Sequence, residues 1–107
     1  MMNLEKLVLS IGLNDKDSKT QLVTTEHAME VIKDAVLPLG GATIIPGCIG
    51  IYQHDDGTIV CENSVQVVFY GANLEDVKAA AQSIGRALNQ ESVALEVSTI
   101  QSAFIAC

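Results

Sequence analysis

Along this chain the spacing of apolar side chains switches repeatedly between a period of two and a period of three to four, and that succession restricts the available folds more than any motif does. From Lys6 to Leu13, Leu7, Leu9, Ile11 and Leu13 alternate with Val8, Ser10 and Gly12, the pattern of a strand buried on one face. A polar stretch from Asn14 to Gln21 follows, longer than the usual connection of about 4 to 6 residues. Ala28, Val31, Ile32, Ala35 and Val36 then recur at helical spacing on one stripe. Thr24 or Thr25 offers an N-cap, and Glu26 suits the positive end of the helix dipole. Pro38 and Gly40-Gly41 stop this helix at Leu37.

Residues 42–53 and 58–70 read as two strands joined by a hairpin turn at His54-Asp55-Asp56-Gly57, where Asp and Gly accept positive φ. Pro46-Gly47 interrupts the first, which predicts an edge position or a bulge, because proline cannot donate to a ladder. In the second, Ile59, Cys61, Val65, Val67 and Phe69 share one face, while Val60, Glu62, Ser64, Gln66, Val68 and Tyr70 share the other. Asn73 caps a second helix with the stripe Leu74, Val77, Ala81, Ile84 and Leu88, flanked by small residues that allow close approach to another backbone. Ser92 to Ile100 is a last strand.

The order β-α-β-β-α-β in one domain spanning residues 1–107 predicts an α+β, ferredoxin-like sandwich: a four-stranded antiparallel sheet with two helices on one face. Helices cover only one side of such a sheet, so the other meets water or another subunit. Val60, Val68, Tyr70 and Ile100 begin an apolar patch there, and Phe104 and Ile105 add an apolar tail with no helix left to cover it. A homo-oligomer, dimer or trimer, is therefore expected.

Composition excludes several functions. With 13 acids, 6 bases and a net charge of -7, the chain lacks the Lys and Arg needed along nucleic-acid phosphates. No run approaches the ~18 apolar residues of a membrane span, and the first residues lack the basic-then-apolar order of a targeting signal. Three widely spaced cysteines suit a reducing cytoplasm and make no zinc pattern. Neither metal nor cofactor is expected.

No catalytic constellation is visible: His27 and His54 lie in a helix turn and a hairpin turn, and no phosphate-loop, dinucleotide or nucleophile-elbow motif occurs. A non-catalytic binding protein is the expectation. The long polar loop concentrates what little positive charge exists, so Gly12, Asn14, Lys16 and Lys19, with Tyr52, Asn63 and Tyr70 as polar or stacking partners, are candidate ligands for a small anionic or nucleotide-like molecule. A rival reading is a protein-interaction module or inhibitor of a host protein. It would use the acidic helix face of Glu26, Glu30 and Asp34 or the tail residues Phe104 and Ile105. A third, a small enzyme in a shared cleft, would rest on His54 and Glu62.

Two resemblances attach to particular segments. Ile44-Ile45-Pro46-Gly47, continuing through Ile51-Tyr52 to Ile59 and Glu62, resembles the central hairpin of CutA-type divalent-cation tolerance proteins, which implies a ferredoxin-like trimer. The segments K-L-V-L-S-I-G-L-N-D-K-D at 6–17, I-Y-Q-H-D-D-G-T-I-V at 51–60 and N-Q-E-S-V-A-L at 89–95 are similar to small uncharacterised proteins of bacterial and phage genomes. That likeness implies, by class, a role against host defences through capture of a nucleotide signal or blockade of a host enzyme.

Overall fold

A computed structural model describes all 107 residues. The alternating segments form strands β1 (Met2–Gly12), β2 (Thr43–Gln53), β3 (Ile59–Tyr70) and β4 (Ala94–Ser102), and the two stripes form helices α1 (Thr25–Val36) and α2 (Leu74–Ala87). Strands lie in the order β2-β3-β1-β4, every neighbouring pair antiparallel. This is the ferredoxin-like α+β arrangement, with α1 carrying the chain from β1 past β3 and α2 carrying it from β3 past β1.

Local chemistry sets the boundaries. Thr24 Oγ1 accepts the His27 N–H at 3.0 Å and Asn73 Oδ1 accepts that of Asp76 at 3.1 Å, satisfying donors that the first helical turns leave free. Past α1, a single 3-10 turn, Leu37–Leu39, ends at Gly40 with φ of 96°. Pro46-Gly47 produces both features expected of it: β2 is an edge strand, and its register with β3 shifts between Ile45 and Cys48.

The core lies between the sheet and the helices. Leu7, Leu9, Ile11, Val65, Val67 and Phe69 from the sheet meet Ala28, Ile32, Val36, Val77 and Ile84 from the helices and Leu88 at the C-cap of α2, all buried. Each large side chain here contributes about 1.5–3 kcal/mol by leaving water. On α2, Ala80 and Gly85 are buried alongside the expected stripe, and Ala81 packs against the core partly buried; a Cβ on Gly85 would sit 3.4 Å from Val93 Cγ2, just before β4.

Two departures concern the rest of the sheet. The apolar patch on the open face is smaller than expected, since Val68 is only 7% exposed opposite Val8. The greater apolar exposure lies at the far end of the β2–β3 hairpin, where Ile51 is 69% and Ile59 67% exposed, and at Phe104 and Ile105. No helix is long and apolar enough to cross a membrane.

Candidate functional site

Glu62 lies on β3 among the open-face residues, directly opposite Gly50 on β2. Its side chain crosses toward the end of β1, where Oε2 accepts the backbone N–H of Asn14 at 3.0 Å. No Lys or Arg pairs with it; the ion pairs of the chain are Lys33–Glu30 and Lys78–Glu75, both on exposed helix surfaces. A half-buried carboxylate anchored by one amide and left without a cation is poised for a positively charged ligand group.

Around this carboxylate opens a pocket of about 450 Å³, lined by Asn14, Lys16, Lys19, Tyr52 and His54 together with Gln90 and Ser92. The loop after β1 is held in place by its own hydrogen bonds. Asp15 Oδ2 accepts the N–H groups of Asp17 and Ser18 at 3.0 and 2.9 Å, and Asn89 Nδ2 donates to Asp15 Oδ1 and Asp17 Oδ2 at 2.7 and 2.9 Å. These donors, the Ser18 amide foremost and Asn89 next, hold the Asp15 carboxyl below the usual carboxylate range. The Lys16 N–H donates to the Asn89 carbonyl at 3.0 Å, and Gln90 Nε2 donates to the Asn14 carbonyl at 2.8 Å. The loop is thereby tied to the end of α2, with Lys19 in the left-handed region at φ of 63°. Lys16 and Lys19 border the pocket without carboxylate partners.

The structure brings Asn14, Lys16, Lys19 and Tyr52 to one pocket, with Gly12 beneath the Glu62 carboxylate. It does not bring Asn63 or Tyr70 there. Asn63, next to Glu62 in sequence, projects from the opposite face, and its Nδ2 donates to Gln21 Oε1 at 2.8 Å. Tyr70 pairs with Lys6 at the other end of β3, about 26 Å from Glu62 along the strand. The ring of His54 packs against that of Tyr52, centroids 5.3 Å apart and nearly perpendicular. Gln90 and Ser92 were not legible as site residues, since only the tertiary fold carries the end of α2 to the loop. On the acidic helix face, Glu30 is tied to Lys33 at 3.0 Å, a bond that raises the Lys33 pKa, while Glu26 and Asp34 are exposed.

Comparison with known proteins places these features in context. No protein-family model matches the chain, and no curated protein does. Among solved structures, a phage SAM lyase in complex with S-methyl-5'-thioadenosine matches 96% of this chain and 93% of its own, with 24% identity and a TM-score of 0.64. The divalent ion tolerance protein CutA1 from Ehrlichia chaffeensis matches 97% and 87%, with 15% identity and a TM-score of 0.60. CPII, a nitrogen regulatory PII-like protein from Thiomonas intermedia K12 bound to ADP, AMP and bicarbonate, matches 98% of both chains with 16% identity and a TM-score of 0.52. The resemblance to phage and CutA proteins thus extends from short segments to the whole fold.

One expectation is corrected here. The sequence pointed to a protein without catalysis, yet the phage SAM lyase, an enzyme, shares this fold over nearly its entire length. The absence of a triad or phosphate loop carries no weight against catalysis on such a scaffold.

Proposed function

We propose that this protein binds an adenine nucleoside bearing a sulfur substituent in the Glu62 pocket and cleaves its sulfonium parent, S-adenosylmethionine, to S-methyl-5'-thioadenosine. The observation that carries this reading is the cation-free Glu62 carboxylate, anchored by the Asn14 amide inside a pocket bordered by two lysines. The likeness to a lyase holding that same thioadenosine supports it.

The bond that must break joins sulfur to the four-carbon amino-acid chain. Its electron pair remains on sulfur, which becomes a neutral thioether. The chain's own carboxylate closes on the carbon released, so atoms and charge balance without water. Glu62 selects and orients the sulfonium, and its attraction disappears as the charge is neutralised, which favours product release. Lys16 and Lys19 draw the carboxylate-bearing end toward the loop. Tyr52 offers a ring face to the base, a contact worth about 1–3 kcal/mol in other nucleotide sites.

Charge discrimination tests this reading. A non-cleavable analogue with a protonated tertiary amine nitrogen in place of the sulfonium sulfur is expected to bind at least tenfold more tightly than the neutral thioether S-adenosylhomocysteine. Glu62→Gln is expected to reduce that preference below threefold. Equal affinities in the unsubstituted protein would contradict the assignment.

A homo-oligomer in the cytoplasm belongs to the same proposal. The exposed isoleucines of the hairpin support self-association, because isolated monomers rarely leave such residues clustered at one end. The three free thiols suit a reducing compartment.

A further inference from the structure

Two glycines in this sheet have no backbone reason to be glycine. Gly40, Gly41, Gly47, Gly57 and Gly71 all take positive φ, which explains them; Gly12 on β1 and Gly50 on β2 do not. Gly50 stands inside its strand and Gly12 is the last residue of β1, positions where extended backbone gives glycine no advantage over alanine. What they share is Glu62. A Cβ on Gly12 would lie 2.5 Å from Oε1, 2.7 Å from Cδ and 2.8 Å from Oε2 of that residue, closer than side-chain atoms pack. A Cβ on Gly50 would lie 3.6 Å from its Cγ, an ordinary contact.

We infer that Gly12 is a positioning residue, and that the trough its missing side chain leaves over β1 fixes the direction in which Glu62 presents its charge. Glutamate on an open sheet face ordinarily extends into water through three rotatable bonds. Here Gly12 leaves room for the carboxylate to lie flat over β1, where a Cβ would displace it. In that position Oε2 accepts the Asn14 amide, just beyond the end of β1. Gly12 thus acts through Glu62 and not by admitting a ligand to the backbone. The consequence for ligand selection rests on the function proposed above; the trough itself does not.

The test is a double-substitution cycle on the full chain, with Gly12→Ala, Glu62→Ala and the pair together, read in two ways. Without ligand, the Asn14 amide resonance in a nitrogen–proton correlation spectrum reports the carboxylate contact. Gly12→Ala is expected to move it to the position seen in Glu62→Ala, and in the Glu62→Ala background the same change is expected to leave it in place. With S-adenosylmethionine, Gly12→Ala is expected to lower kcat/KM at least tenfold, and the pair is expected to match Glu62→Ala alone. If Gly12→Ala does not fold, the double variant, which removes the clash, is expected to fold. An unmoved Asn14 resonance in Gly12→Ala, or losses that add across the cycle, would overturn the inference. The expected Asn14 pattern in a protein that never consumes S-adenosylmethionine would uphold the trough and remove the lyase reading.

Discussion

Asn89 and Asp15, 74 positions apart, are joined by a 2.7 Å hydrogen bond from Nδ2 to Oδ1 that ties the end of α2 to the loop bearing Lys16 and Lys19. The same amide nitrogen reaches Asp17 Oδ2 at 2.9 Å, so one side chain organises the loop that borders the pocket. Pocket geometry consequently depends on a residue that does not itself line the pocket.

Acid is expected to loosen this loop. The Asp15 carboxyl is held below its ordinary value by the Ser18 amide and then by Asn89, so its contribution is present above an unfolded pKa of about 3.9 and is lost as pH falls through the depressed folded value. Hydrogen exchange of the Lys16 and Lys19 amides is expected to quicken below pH about 4 relative to the core strands, once corrected for intrinsic rates. In Asp15→Asn that acid-dependent step is expected to flatten. Unchanged acid dependence in the variant would show that other groups control the loop.

Lys16→Ala and Lys19→Ala are each expected to weaken binding of the carboxylate-bearing ammonium analogue about two- to fivefold, the range of about 0.5–1 kcal/mol for exposed charge pairs. The loss is expected to shrink at high salt, because these lysines face solvent. Titration calorimetry at two ionic strengths measures both. S-methyl-5'-thioadenosine has no carboxylate, and its affinity is expected to change less than twofold.

Ile51→Asp places a charge on the exposed end of the hairpin, beyond the helix-covered core. Light scattering is expected to show an oligomer for the unsubstituted protein and a smaller species for the variant, with circular dichroism unchanged. A monomer in both would remove the hairpin from any role in assembly.

How much of this was legible in the sequence depends on how far each residue's partners lie along the chain. β1, the α1 stripe, the hairpin turn and both N-caps were readable because strand alternation, helix periodicity and capping are local. Pro46-Gly47 announced its bulge for the same reason. The site was legible only in part. The polar loop identified Lys16, Lys19 and Asn14, but its anchors at Asn89 and Gln90 arrive from the far end of α2. Strand parity separates Asn63 from Glu62, and the length of β3 separates Tyr70 from both. Glu62 appeared only as a candidate for a third reading, because its setting combines Gly50 across a strand pair with Gly12 and Asn14 on the other side. The expectation of no catalysis was overturned by a likeness of the whole fold to an enzyme, which no short sequence motif carries.

The central claim is tested most directly by incubating the purified protein with S-adenosylmethionine and following both compounds by liquid chromatography and mass spectrometry. The expected result is S-methyl-5'-thioadenosine appearing in proportion to the S-adenosylmethionine lost, at least a hundredfold faster than in Glu62→Gln. Loss of S-adenosylmethionine at the rate seen in buffer alone would contradict it.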